Sequence, residues 1–222
     1  MSMSSTNESH NIVIIGAGSA GLATSYFLTE QNIDHVVLER GQVGNTWDVE
    51  RWDGFHLVNP NWAVRLPGFH YAGTDPDGYL SKIETIDYLQ NYAKHFDAPV
   101  RTGIEIESLE RVEDGYLLTA SSGERLQARC VVVATGAFGV PKIPDYATAL
   151  SGSINQIHSA DYKNPTSLGE GGVLVVGSGQ SGAQIAEELY EAGRAVWLSV
   201  GNAGRRLRRY RGRDSSWWNY TM

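Results

Sequence analysis

Cysteine is almost missing from this chain. Cys130 is the single one in 222 residues, which excludes an internal disulfide, a dithiol redox pair and a cysteine-based metal cluster. Because Cys130 opens an apolar strand, a buried and inert thiol is expected. Long apolar runs are missing too, since none reaches the roughly 18 residues of a membrane span. The opening MSMSSTNESHN has neither a basic start nor an apolar centre, so no secretory leader is expected there. The expectation is a disordered tail over residues 1–11 and a cytoplasmic setting. No metal cluster and no nucleophilic triad can be read from the spacing of His, Asp, Glu and Ser, so catalytic side chains stay unassigned. Proline is sparse, at 7 residues, whereas glycine reaches 25, above the average of roughly 7% and in keeping with turns that approach a ligand closely.

Acidic residues prevail, for a net charge of −7, yet the charge is unevenly spread. Arg205, Arg206, Arg208, Arg209, Arg211 and Arg213 crowd one segment, so that residues 205–222 carry +5 and the remainder −12. A guanidinium cluster of this density needs an anionic partner or a solvated face. The interleaved Tyr210, Trp217 and Trp218 suit single-stranded nucleic acid, but the acidic body would repel a polyanion, and nucleic acid is not expected as a partner.

What is present is concentrated in Asn11 to Arg40. Ile12 to Ile15 form a β-branched run that predicts a buried parallel strand. Gly16, Gly18 and Gly21 follow at GxGxxG spacing, Leu22 to Leu28 recur at helical intervals, and a second strand from His35 ends on Glu39. Gly16 permits the tight turn, Gly18 lets a pyrophosphate reach the backbone, and Gly21 lets the helix lie on the strand. The turn residues Ser19 and Ala20 open the helix whose free N–H groups face the anion. Glu39, with Arg40 after it, stands where a carboxylate accepts from both ribose hydroxyls. The unit predicts a dinucleotide site.

Residues 41–69 show no period and are read as irregular, and a loop of that length in a domain is usually functional. Trp47, Trp52, Phe55 and Trp62 either wall a flat ring system or plug the core. Ser81 to Phe96 predicts an amphipathic helix. Val100 to Ile106 predicts a strand, and Tyr116 to Thr119 with Arg125 to Val133 a hairpin around Ser122-Gly123. The last strand delivers Ala134, Thr135 and Gly136, a small-residue turn that can meet a ligand. Gly139, Pro141 and Pro144 mark a linker.

The second half repeats the first. Val173 to Val176 predicts a strand, Gly177, Gly179 and Gly182 with Ser178, Gln180 and Ser181 form a second GxGxxG turn, and a helix and a strand to Val200 follow. Here the second strand ends near Ser199, with no acid from Trp197 to Arg213. A carboxylate favours a bare ribose 2′-hydroxyl, whereas Ser with Arg favours a 2′-phosphate. The first site should therefore take FAD or NAD and the second NADP, with Arg205 and Arg206 as candidates for the phosphate clamp.

These residues resemble the N-terminal half of bacterial flavin-containing monooxygenases, a group that includes Baeyer–Villiger enzymes and flavoprotein N-hydroxylases. The resemblance rests on both GxGxxG turns, Glu39, Gly44-Asn45-Thr46-Trp47, Ala134-Thr135-Gly136, the segment His158 to Tyr162 and the run RRYRGRD before Trp217-Trp218. It implies an α/β fold: a Rossmann-like FAD-binding domain with a βαβ sheet and a β-meander over 12–145, and the start of a Rossmann-like NADP-binding domain over 146–222. It implies FAD on Gly16, Gly18, Gly21 and Glu39, with Thr46 and Trp47 on the flavin side and Ala134 to Gly136 by the pyrophosphate. NADPH is implied on Gly177, Gly179, Ser181, Gly182, Ser199 and Arg205. The implied reaction is flavin reduction by NADPH, O2 addition at flavin C4a as a peroxide, and oxygenation of a small organic substrate, with His158 supporting the linker.

Two departures qualify the resemblance. Leu150 stands where the family has Phe, five residues separate Gly152 from His158, and Tyr162 replaces a Trp, which points away from ester formation towards heteroatom oxygenation or plain NADPH oxidation. The chain also stops soon after the second strand of the second unit, which implies self-association or a completing chain. The alternatives are a non-catalytic nucleotide-binding or interaction module, an NADPH oxidase fragment, and a disulfide-reductase type whose dithiol is missing.

Overall fold

The computed structural model describes residues 8–202, 204 and 207–221. They belong to two compact units that alternate along the chain. The first is Met1–Asp48, Arg65–His70 and Thr85–Gly139, and the second is Val49–Val64, Tyr71–Glu84 and Val140–Met222. No described helix is long and apolar enough to cross a membrane.

In the first unit, β1 (Glu8–Ile15) is followed by α1 (Ser19–Glu30) and β2 (His35–Glu39). β1 starts four residues before its apolar run, because the polar ESHN segment still pairs with the neighbouring strand, Glu8 opposite Leu126 and His10 opposite Ala128. Arg101 bridges Glu8 and Glu124 and fixes that end. The expected tail therefore gives way to strand from Glu8, and residues 1–7 lie outside the described residues. Next come α2 (Asn45–Val49), the short pair β3 (Arg65–Leu66) and β4 (Phe69–His70), and α3 (Lys82–His95). α3 begins at a capping box, where Ser81 N–H donates to Glu84 at 2.8 Å and Glu84 N–H to Ser81 Oγ at 3.3 Å.

The strand expected over Val100 to Ile106 is two strands. β5 (Val100–Thr102) pairs with β2, Gly103 turns the chain at φ 75°, and β6 (Ile106–Val112) joins the opposite edge. Only glycine adopts that φ without strain. β7 (Gly115–Ala120) and β8 (Arg125–Val133) complete a six-stranded sheet of order β5-β2-β1-β8-β7-β6. Its first four strands are parallel and β8-β7-β6 form an antiparallel meander. On one face Ile14 and Val37 pack against Leu22 of α1 and Leu89, Tyr92 and Ala93 of α3. On the other, Val13, Val36 and Leu38 pack against Leu118, Leu126 and Ala128 of the meander. A parallel sheet covered on both faces explains why β1 and β2 read as continuous apolar runs. Cys130, expected to be buried, is exposed: it pairs with Ile12 but stands two residues before Val132, the β8 side chain that packs against the core.

In the second unit β9 (Val173–Val176), α4 (Gln180–Glu191) and β10 (Val196–Ser199) form a parallel βαβ crossover. α4 lies on the Val175 face and buries Ile185 and Leu189. Leu174, Val176 and Trp197 stand exposed on the other face. The first part of the irregular loop packs here. Trp52 and Phe55 are 1% and 8% exposed, so these two aromatics plug a core. Gln184 holds the loop in place, accepting from His56 N–H at 3.2 Å and donating to His56 carbonyl at 3.0 Å. Tyr162 is buried beside Trp52 and donates to Glu188 at 2.7 Å. Burial and then this hydrogen bond to a carboxylate hold its phenol above the usual range.

The arginine-rich segment folds as a hairpin. β11 (Arg209–Tyr210) and β12 (Arg213–Asp214) are joined by Arg211 and Gly212 at φ 50° and 75°, the two positive φ values of a type I′ turn. α5 (Ser215–Thr221) follows. Arg208 stacks 3.9 Å from the Tyr79 ring centroid, and Arg213 lies 4.4 Å from that of Trp217. Asp214 accepts from Tyr79 OH at 2.8 Å and Ser216 N–H at 2.7 Å, and lies 3.2 Å from Arg208 Nε. Burial pushes the Asp214 carboxyl up, but the Ser216 and Tyr79 hydrogen bonds and the Arg208 charge bring it below its usual value. A lowered folded pKa contributes stability that is present above the unfolded value, about 3.9, and lost as pH falls through the folded one. Asp214→Asn is therefore expected to destabilise the hairpin at neutral pH by about 1.5–3 kcal/mol and to flatten the acid branch of its tryptophan-fluorescence unfolding curve.

Candidate nucleotide-binding sites

The two GxGxxG turns fold alike, each within its own unit. Gly16 and Gly177 sit at φ 105° and 106°. Gly18 and Gly179 cap α1 and α4 in extended conformation, at φ −80° and −70°. A Cβ on Gly21 would fall 1.9 Å from Gly16 carbonyl oxygen, and one on Gly182 1.9 Å from that of Gly177. Each third glycine thus lets a helix seat on its own entry turn. At Gly18 and Gly179 nothing lies within 4 Å of the Cβ position, so both turns leave open the space a pyrophosphate needs beside the helix N–H groups. Ser19, Ala20, Gln180 and Ser181 belong to those first helical turns.

In the first unit the expected residues converge. A Cβ on Gly16 would meet Ala134 carbonyl oxygen at 2.6 Å and Thr135 Cα at 3.4 Å, which puts the Ala134-Thr135-Gly136 turn against the cradle. Gly136 takes φ 85°. Glu39, 9% exposed, accepts from Ala17 N–H at 2.8 Å through one oxygen and from Gly41 N–H at 3.0 Å through the other. Each oxygen keeps a lone pair, so the carboxylate is preset for two further donors, as an adenosine ribose presents. Thr46 and Trp47 lie on α2, with Trp47 packed against the α1–α3 core. Arg40 follows Glu39 and is exposed. The open cradle and the doubly anchored carboxylate fit an FAD adenosine diphosphate.

In the second unit Ser199 carbonyl accepts from Gly177 N–H at 3.0 Å. Arg205 and Arg206 lie outside the described residues. His158 accepts from Ala160 N–H at 3.2 Å through Nδ1, an anchor for the linker turn. Sequence reasoning missed Gln184, Glu188 and Asp214; no local pattern marks them, because each acts on a segment more than 20 residues away.

A sealed pair in the first unit has the distances of a nucleophile and its base. Ser25 Oγ donates to His35 Nε2 at 2.7 Å, and Nδ1 donates to Ile33 carbonyl at 2.8 Å. Ser25 is fully buried and His35 8% exposed, so no substrate reaches them and the pair pins α1 to β2. Among the described residues no group of three or more His, Cys, Asp or Glu can hold a metal ion.

Comparison with known proteins bears on this geometry. The pyridine nucleotide-disulphide oxidoreductase family matches residues 13–215. A CzcO-like oxidoreductase of Geobacillus kaustophilus is 43% identical, over 86% of this chain and 54% of its own length. Indole-3-pyruvate monooxygenase YUCCA6 of Arabidopsis thaliana is 33% identical, over 86% of this chain and 48% of its own. The structure of a flavin-containing monooxygenase from Stenotrophomonas maltophilia superposes with a TM-score of 0.83 at 26% identity, covering 96% of this chain and 64% of that one. The chain spans about half the length of the curated relatives it matches. It belongs to the pyridine nucleotide-disulphide oxidoreductase family, and within it to the flavin monooxygenase type of oxidoreductase.

Proposed function

We propose that this chain works as an FAD-dependent oxidoreductase that draws electrons from NADPH and delivers oxygen from O2 to a small organic substrate. The observation that carries this reading is the duplicated glycine cradle, closed by a buried carboxylate in the first unit and by no acid in the second. Gly16, Gly18 and the α1 N-terminus would hold the FAD pyrophosphate, Glu39 its adenosine ribose, and Ala134 to Gly136 the turn beside it. Gly177, Gly179 and the α4 N-terminus would hold NADPH. Bound flavin would supply the redox chemistry, accepting a hydride equivalent and passing electrons to O2. The protein's share is to bind, orient and exclude water, and no side-chain nucleophile is called on.

Tyr162 in the Trp position favours oxygenation of a nitrogen or sulfur atom over ester formation. The test is a visible spectrum of the purified chain after reconstitution with FAD. Flavin bands that bleach anaerobically with NADPH and return with air are expected, followed by substrate-dependent loss of peroxide release with amines or sulfides. A chain that takes up no FAD would overturn the reading in favour of a non-catalytic module.

A further inference from the structure

Tyr162 is a buried phenol that the oxygenase reading leaves without a task. Its hydroxyl donates to Glu188 Oε2 at 2.7 Å, and Glu188 itself is half-buried on α4. Trp52 lies beside it, with 6.5 Å between the ring centroids, and is equally buried. No acceptor among the described residues meets the Trp52 indole N–H. All three residues belong to the second unit.

The two rings differ in what the loss of an electron does to them. An oxidised indole is an acidic radical cation. With no base at Nε1 it keeps its proton, and with the proton a strong pull on a neighbour's electron. An oxidised phenol sheds its proton, and here a carboxylate is already in hydrogen-bond contact to take it. Burial, and then that hydrogen bond, hold the Tyr162 phenol above its usual range, so it stays protonated until it is oxidised. Giving up the proton makes the phenol the easier of the two to oxidise. A hole on Trp52 therefore runs downhill to Tyr162, across rings close enough to exchange an electron directly.

Two other tyrosines lack this combination. Tyr92 is fully buried, but its hydroxyl meets no acceptor among the described residues. Tyr79 donates to Asp214 at 2.8 Å, but Arg208 stacks 3.9 Å from its ring centroid and donates to its hydroxyl at 3.1 Å. A guanidinium in that place opposes a positive hole, and a carboxyl held below its usual value, as that of Asp214 is, accepts a proton poorly.

We propose that Trp52 and Tyr162 form a one-electron redox site, with Glu188 as its proton acceptor, that drains oxidising equivalents into the core of the second unit. In the first step a one-electron oxidant, an oxygen-derived radical or a photo-excited flavin, takes an electron from Trp52 and is reduced. In the second, Tyr162 gives one electron to the Trp52 radical cation, its O–H bond breaks, and the proton bonds to Glu188 Oε2. Trp52 is restored, and the products are a neutral phenoxyl radical and a carboxylic acid. A one-electron reductant such as ascorbate reverses the second step, and the proton returns from Glu188 to the phenol. The inference stands apart from the nucleotide assignments, because an external oxidant serves to test it.

The test is oxidation of the full chain by azidyl radicals, which attack indoles first, followed by transient absorption and by electron paramagnetic resonance of frozen samples. In the parent, tryptophanyl radical should decay into tyrosyl radical with a long-lived component, shielded in the core. Tyr162→Phe keeps the ring and should remove most of that component, leaving the short-lived signal of exposed tyrosines. Trp52→Phe should lower its yield. Glu188→Gln, which accepts a hydrogen bond but is a far weaker base, should slow its appearance severalfold. Tyr79→Phe should leave it intact. A parent without the long-lived component overturns the inference, as does a component that survives Tyr162→Phe, or one that forms at the parental rate in Glu188→Gln. If Glu188→Gln does not fold, Tyr162→Phe decides the question.

Discussion

Glu39→Ala is expected to strip the chain of most of its FAD while leaving NADPH binding as it was. The carboxylate accepts from two backbone donors, Ala17 and Gly41, and offers its remaining lone pairs to the ribose. Hydrogen bonds to a charged group contribute about 1.5–3 kcal/mol, so losing those to the ribose weakens FAD by roughly ten- to a hundredfold. A second loss adds to it, because alanine leaves Ala17 N–H without its acceptor and the glycine turn without its brace. Glu39→Gln, which keeps one acceptor oxygen, should fall between parent and alanine. Titration of the apoprotein with FAD, read by quenching of flavin fluorescence, measures both. Equal affinity in parent and Glu39→Ala would remove the first cradle from FAD binding.

The second large effect separates the folding role of a glycine from its binding role. Gly21→Ala places a methyl group 1.9 Å from Gly16 carbonyl oxygen, and both atoms belong to backbone that rotamers cannot move. Relief requires α1 to lift from the turn, at a cost of about 3 kcal/mol, the upper end for overpacking. Thermal unfolding should show it as a midpoint lowered by several degrees, since about 1 kcal/mol shifts a domain of this size by a few degrees. Gly18→Ala meets nothing within 4 Å and sits at φ −80°, a backbone alanine adopts freely. That variant should unfold like the parent and yet bind FAD poorly, because its methyl takes the pyrophosphate's place. If both variants kept full FAD affinity, the turn would have no ligand to cradle.

The contrast also shows which parts of the fold the sequence makes readable. Both cradles are legible because every requirement is local: strand, turn, glycine, helix, within about 30 residues each. The identity of Glu39 follows for the same reason. The end of the matching strand in the second unit is less legible, since no acid marks it and only the hydrogen-bond register shows that β10 ends on Ser199 opposite Val176. The break at Gly103 carried a local signal, a glycine between two β-branched stretches, yet the departure of β6 to the far edge of the sheet is a matter of topology. The packing of Trp52 and Phe55 in the second unit has no local signal at all. It depends on Gln184 meeting His56 across 128 residues, a pairing no window of sequence contains. Of the arginine cluster, which reads as needing an anionic partner or a solvated face, the structure commits Arg208 to Tyr79 and Asp214, while the clamp candidates Arg205 and Arg206 lie outside the described residues.

Cys130 offers a practical return. It is the chain's sole thiol and it stands in water, four residues before the turn that abuts Gly16. A maleimide dye would attach at one defined point on β8, with no background from other sulfhydryls. Resonance energy transfer between that dye and a bound isoalloxazine would then report occupancy of the first cradle continuously, in the unmutated chain.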